Sequence, residues 1–146
     1  MIAKSQPQKK QKCTSVHDNQ SSTDLLVQYF KDINEWPETW EIDKRDIKIG
    51  EVILEQFKLF LIDRIEKGRA KKTIKSHGNY LWALGGELIR AVNEDTSQRR
   101  LAGRNLILKH INDLGGPYWC HAVSEADDAQ YDSVCKQLFK FMTKTE

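Results

Sequence analysis

Clustered lysine and arginine side chains form the clearest chemical pattern in this 146-residue sequence. Two short segments, 67–75 and 99–109, contain several basic residues and no acid. Cations grouped in this way contact phosphate groups, and a threonine among them adds an uncharged hydroxyl donor. The sequence therefore predicts a phosphate-binding surface with these contact residues: Lys71, Lys72, Thr73, Lys75, Arg99, Arg100 and Arg104.

The nearly neutral total charge hides an uneven distribution along the chain. The 23 Lys and Arg residues and 21 Asp and Glu residues give a formal net charge of +2. Residues 24–55 carry nine acids against four bases, whereas residues 56–116 carry twelve bases against six acids. Such a basic block favours nucleic acid as the partner. A second interpretation stays open, in which the basic side chains are solvated helix faces that complement the acidic segment.

Histidine and cysteine residues give no pattern of a metal or catalytic site. Cys13 and His17 lie in a polar segment, and Cys120 and His121 are adjacent, so the two regularly spaced ligand pairs of structural zinc are missing. The chain also has no phosphate-binding glycine-rich loop, nucleophile elbow or His-Glu-x-x-His motif. We therefore expect no metal, no cofactor, no small-molecule substrate and no enzymatic activity.

Helices are the elements expected to position the basic residues. Apolar residues recur every three or four positions over most of the chain, and strand signals are weak. We predict an all-α fold, a compact bundle of four main helices plus a short N-terminal helix. The expected extents are about 24–34 for the short helix, then Ile49 to Gly68, Thr73 to Val92, Ser97 to Leu114 and Ser124 to Met142.

Glycines and tryptophans add two expectations about packing. Gly85 and Gly86 lie inside a predicted helix, where each glycine costs about 1 kcal/mol relative to alanine. This cost indicates that another helix crosses closely at this point. The segment 35–41 is predicted to be a loop whose two tryptophans, Trp36 and Trp40, pack over the core, and a ligand platform is the alternative.

The first 22 residues differ from the rest of the chain in composition. They are rich in Lys, Gln and Ser, which predicts a disordered basic arm at 1–22 followed by a single helical domain at 23–146. The arm is either a solvated tail without a function or a basic segment that binds nucleic acid. No apolar run approaches the roughly 18 residues of a membrane span, and no signal peptide is recognisable. Three cysteines without paired spacing favour a reducing compartment, so we expect a cytoplasmic protein without a membrane partner.

The segment 68–77, with the sequence GRAKKTIKSH, resembles the N-terminal core-binding domain of tyrosine recombinases, the phage-integrase family. In that family a helix ending in glycine is followed by a Gly-x-Ser-x-x-Thr turn and a helix with an aromatic residue four positions after the threonine. Ala70 replaces the family's serine, and His77 takes the aromatic position. The matching residues are Gly68, Lys72 and Thr73.

The resemblance covers roughly residues 50–92 and implies a helical module that sits on duplex DNA with its basic helices. Family enzymes carry a further C-terminal domain with an Arg…His-x-x-Arg…Tyr constellation, for which 146 residues leave no room. Neither His77 nor His110 is followed by arginine three residues later. We therefore expect no recombinase chemistry from this chain.

Two functions follow as expectations. The first is a non-catalytic DNA-binding protein that resembles a free-standing core-binding domain and serves as an accessory of a mobile element. Its partners would be double-stranded DNA and a tyrosine recombinase. The alternative is a protein–protein adaptor that docks on a recombinase or on itself, with these aromatic anchors: Trp36, Trp40, Tyr118 and Trp119.

Overall fold

The computed structural model describes residues 18–101 and 103–144, and within them the fold is all-α, as the sequence predicts. The described ranges contain six α-helices, and short 3-10 helices lie at Ile33–Glu35 and Thr96–Arg100. No helix in the described part of the chain combines the length and apolar character needed to cross a bilayer. The α-helices are α1 (Asp18–Tyr29), α2 (Trp36–Trp40), α3 (Asp46–Glu66), α4 (Lys71–Glu94), α5 (Gly103–His110) and α6 (Glu125–Thr143).

The N-terminal part of the domain differs from its predicted boundaries. Residues 1–17 of the predicted basic arm lie outside the described residues. Residues 18–22 belong to α1, and Ser22 is buried. The segment expected to be a loop forms α2, because Pro37 lies in the first turn of that helix, where the missing N–H costs no hydrogen bond.

Helix α3 is the centre of the fold, because α1, α2, α4 and α5 all pack against it, while α6 packs on α4. The chain leaves α3 through Gly68, whose backbone is left-handed with φ of +78°. The amide of Gly68 donates to the carbonyl of Ile65 at 3.0 Å, and the amide of Arg69 donates to the carbonyl of Arg64 at 3.2 Å. This pair of bonds is a Schellman motif, which confirms the predicted end of the helix at Gly68.

Glycines of α4 make room for aromatic rings from earlier parts of the chain. A Cβ atom at Gly85 would lie under 3.0 Å from the ring of Trp40, and one at Gly78 would lie equally close to Phe30. The predicted close approach at Gly85 is therefore confirmed, although the neighbour is a side chain of α2 rather than a crossing helix. Trp36 and Trp40 are buried, which confirms that they pack into the core.

The segment predicted as one helix at 97–114 divides in the structure. A 3-10 helix and α5 follow one another, and a turn closed by a single β-bridge comes next. The carboxylate of Asp95 accepts hydrogen bonds from the amide of Ser97 at 3.2 Å and from its hydroxyl at 2.6 Å, so Ser97 lies inside the first turn instead of capping it. Leu101 has extended backbone angles, which end the 3-10 helix before α5 begins.

Candidate nucleic-acid interface

The first predicted basic segment lies on the first two turns of α4. Lys71, Lys72, Thr73 and Lys75 are all exposed there. In the described ranges no carboxylate forms an ion pair with any of these lysines. The ammonium group of Lys71 instead lies over the ring of Tyr29, 5.3 Å from the ring centroid. The lysine charges are therefore available to an external anion.

The N-terminus of α4 adds its own positive potential. Ala70 offers no side chain to the first amides, and the first turn contains no acidic residue. Free amides and aligned peptide dipoles attract an anion at such a helix end. Helix α6 differs, because the hydroxyl of Ser124 accepts a hydrogen bond from the amide of Asp127 at 3.0 Å. The first turn of α6 also carries three acids: Glu125, Asp127 and Asp128.

The second predicted basic segment begins at the opposite end of α4. This helix has 24 residues, so its two ends lie about 35 Å apart at 1.5 Å per residue. The 3-10 helix that carries Arg99 and Arg100 follows the C-terminal end. The predicted phosphate-binding surface is therefore not continuous at these two arginines, because the length of α4 separates them from the lysines.

Arg99 has an internal role. Its guanidinium group lies 2.8 Å from the carboxylate of Asp46, which is fully buried, and donates to the side chain of Asn93 at 3.1 Å. Asp46 also accepts hydrogen bonds from the amides of Asp43 at 2.7 Å and Ile42 at 2.9 Å. Burial pushes the pKa of Asp46 upward, but these hydrogen bonds and Arg99 outweigh burial, so the pKa lies below its ordinary value of 3.8.

Arg100 and Arg104 also have different environments. Arg104 is half-buried on α5 and donates a hydrogen bond to the backbone carbonyl of Met142 near the end of α6. Arg100 is exposed. The predicted contact residues on α4 and Arg100 thus face solvent, whereas Arg99 and Arg104 hold elements of the fold together.

The lysines of α4 border an open groove with a volume of about 1260 Å³. One wall is the N-terminal half of α4, and the other comes from the end of α1, the residues after it and the start of α2. Trp119 also lines the groove and stacks on Tyr131, with ring centroids 5.1 Å apart. The sequence interpretation missed this groove, because its walls come from separate parts of the chain.

Two aromatic side chains of the groove are held by their polar atoms. The indole N–H of Trp82 donates to the hydroxyl of Thr39 at 2.9 Å, and Trp82 is 45% exposed. The hydroxyl of Tyr80 donates to the carboxylate of Asp127 at 2.7 Å. Burial, followed by this hydrogen bond, raises the pKa of Tyr80 to about 12, so Tyr80 remains a donor at neutral pH.

Titratable groups near the lysines form no metal-binding cluster in the described ranges. His77 is buried and stacks on Phe60, with ring centroids 5.8 Å apart. Burial, followed by the charges of Arg64 and Arg69, lowers the pKa of His77, so its imidazole is neutral at pH 7. Among the residues that the structure describes, no group of three or more His, Cys, Asp and Glu side chains is placed to hold a metal ion.

Comparison with known proteins yields no relative. No protein-family model, curated protein or solved structure matches the chain. The features that carry functional information are therefore local ones: the exposed lysines of α4, the N-terminus of this helix without a side-chain cap, and the groove beside them.

Proposed function

We propose that the protein binds double-stranded DNA without catalysing a reaction on it. The observation that carries this proposal is the exposure of several lysines on an uncapped helix N-terminus, with no carboxylate paired to them in the described residues. Ammonium groups and helix amides both bind phosphate. Arg99 and Arg104 are left out because the protein itself uses their guanidinium groups. The proposed phosphate contacts are Lys71, Lys72, Thr73 and Lys75, with Arg100 as a separate candidate.

A relation to the core-binding domains of tyrosine recombinases belongs to this proposal. The pattern that supports it is a helix ending at Gly68 and a short turn that leads into a helix bearing Thr73. In this proposal the chain is a core-binding-like bundle of four main helices in the cytoplasm. It would act as an accessory of a mobile element, with duplex DNA and a recombinase as partners.

Salt dependence tests the proposed contacts. If Lys71, Lys72 and Lys75 each neutralise one phosphate, log affinity should fall with log salt concentration with a slope near −2.7, from roughly −0.9 per phosphate. The double change Lys72→Gln and Lys75→Gln should bring this slope to about −0.9 and weaken binding by about tenfold or more at low salt. The measurement is fluorescence anisotropy of a labelled duplex titrated at several salt concentrations.

Two lysines at the other end of α3 provide a matched control. Lys44 and Lys48 are exposed near the start of this helix, whose 21 residues place them about 30 Å from the turn into α4. The pair Lys44→Gln and Lys48→Gln removes the same charge and should leave affinity and slope close to wild type. Equal weakening by both pairs would reject the site on α4, and no duplex binding by wild type at low salt would reject the proposed function.

An adaptor role is the second candidate, favoured by exposed apolar residues between α5 and α6. Leu114, Tyr118 and Val123 are 78%, 82% and 88% exposed. Exposed apolar groups are typical of partner-binding surfaces when they lie together. Two of the anchors expected from the sequence, Trp36 and Trp40, are buried in the core. Sedimentation over a range of concentrations tests self-association, which Tyr118→Ser should weaken without changing duplex affinity.

A further inference from the structure

We propose that the groove beside the lysines of α4 binds unpaired bases of single-stranded DNA, whose phosphates contact those lysines. This inference rests on the proposed DNA binding and adds the form of DNA that the site prefers. The observation behind it is the juxtaposition of cations and aromatic rings along one open groove of about 1260 Å³. That volume exceeds the roughly 300–1,000 Å³ of pockets that enclose small molecules, so the groove suits a segment of a polymer.

The charge in the groove suits a phosphodiester strand. Lys31 lines the wall opposite α4, so lysines are present on both sides. Two acids, Asp32 and Asp127, also line the groove. The carboxylate of Asp127 is already engaged, because it accepts hydrogen bonds from the hydroxyl of Tyr80 at 2.7 Å and the amide of Val123 at 3.3 Å. Basic side chains therefore outnumber acidic ones, and one of the acids is satisfied within the protein.

Helix α4 presents lysines and an aromatic ring on one face. Lys71, Lys75, Asn79 and Trp82 follow one another at intervals of four, four and three residues, all line the groove, and extend over about 17 Å of helix. A strand on this face would place phosphates on the first turns and a base on Trp82. Phosphates and bases alternate along a single strand, so cations and rings side by side match it better than a site with one type alone.

The aromatic rings are fixed before a ligand arrives. The ring of Trp82 is held by its indole N–H, which donates to the hydroxyl of Thr39 at 2.9 Å. The backbone carbonyl of Trp82 accepts a hydrogen bond from the indole of Trp40 at 2.9 Å, which ties this turn of α4 to α2. Tyr80 is held by Asp127 in the same way. Rings that are already ordered lose little conformational entropy on binding. Every base has a flat aromatic face, so we expect stacking here to tolerate many sequences.

The test compares strands that carry the same phosphates with and without bases. Labelled oligothymidylate of about twelve nucleotides, an abasic strand of equal length and a duplex of equal length are titrated at one low salt concentration by anisotropy. Oligothymidylate should bind about tenfold more tightly than the abasic strand, and more tightly than the duplex, because one stacked base contributes roughly that factor. It should also quench tryptophan fluorescence.

Variants of Trp82 locate the stacking site. Trp82→Ala should weaken oligothymidylate binding about tenfold and leave the abasic strand unaffected, while Trp82→Phe should restore most of the loss. The matched control is Tyr118→Ala, which removes an aromatic ring that is 82% exposed but does not line the groove. Thermal melting followed by circular dichroism verifies that each variant is folded, and the comparison of strands on wild type needs no variant.

The outcomes separate this inference from the proposed function. Equal affinity for oligothymidylate and the abasic strand would overturn the inference and leave DNA binding intact. An unchanged affinity of folded Trp82→Ala would overturn the assignment to this groove. Tighter binding of oligouridylate than of oligothymidylate would assign the groove to RNA and overturn the inference for DNA. Failure of the duplex to bind would reject the proposed function itself, and failure of every strand as well would overturn both proposals.

Discussion

Two basic segments that look alike in the sequence have different roles in the folded chain. At the start of α4, Lys72 and Lys75 are exposed and pair with no carboxylate in the described residues. Beyond the other end of α4, Arg99 lies 2.8 Å from the fully buried carboxylate of Asp46. The difference comes from the neighbours and not from the cations. A cluster of positive charge therefore indicates a binding surface only where the fold leaves it without internal partners.

Of the predicted changes, removal of the Asp46 carboxylate should lower the free energy of unfolding the most. Asp46→Ala leaves the guanidinium of Arg99 poorly exposed and without its counter-charge, so the free energy of unfolding should fall by about 3–5 kcal/mol. Lys72→Ala is the matched variant and should change it by less than about 0.5 kcal/mol. Urea denaturation measures both. Equal stability of the two variants would show that Arg99 and Lys72 do not differ in their contribution to the fold.

Substitutions at two neighbouring glycines of α4 should change stability by smaller amounts, and they also test how the surroundings of a residue decide its role. A Cβ atom at Gly85 would lie under 3.0 Å from the ring of Trp40, whereas one at Gly86 would lie 3.8 Å from it. Gly85→Ala should therefore destabilise the fold by about 1–3 kcal/mol through overpacking. Gly86→Ala should stabilise it by about 0.5–1 kcal/mol, because alanine favours a helix. Thermal and urea unfolding give the signs, and a gain in both variants would mean that Trp40 moves aside freely.

The smallest expected difference between the two segments is in how stability depends on pH. The pKa of Asp46 in the folded protein lies below 3.8, so its stabilising contribution is complete above that value and is lost as pH falls through the folded-state pKa. The stability difference between wild type and Asp46→Asn should therefore stay constant above about pH 5 and shrink as pH falls below about 4, through the folded-state pKa. The difference between wild type and Lys72→Ala should stay constant, and a parallel change in both would contradict this assignment.

Local patterns in the sequence account for the parts of the fold that were predicted correctly. The Schellman turn at Gly68 and the cap at Ser124 depend on residues within a few positions, which a short window contains. The predicted end of α3 and start of α6 follow from them. The short α2 lies where the sequence predicted a loop, and Pro37 is in its first turn, a position at which helices accept proline.

Contacts between distant residues account for what the sequence did not reveal about the site. The hydrogen bond from Trp82 to Thr39 joins positions 43 residues apart, and the one from Asn93 to Asp46 joins positions 47 apart. The first bond positions a ring in the groove, and the second belongs to the network that engages Arg99. Exposure of the lysines on α4 was predictable because they follow a turn, whereas the pairing of Arg99 required the fold.

The left-handed turn at Gly68 lies between α3 and the exposed lysines at the start of α4. Backbone hydrogen bonds of residues 64–69 form this turn, and the side chains of Lys72 and Lys75 take no part in it. Glycine is constrained there, because other residues rarely adopt its φ of +78°. Substitutions at the exposed positions that follow should therefore leave the backbone of the turn unchanged. Different residues at positions 72 and 75 would change the charge and shape of the surface at this junction while its backbone stays the same.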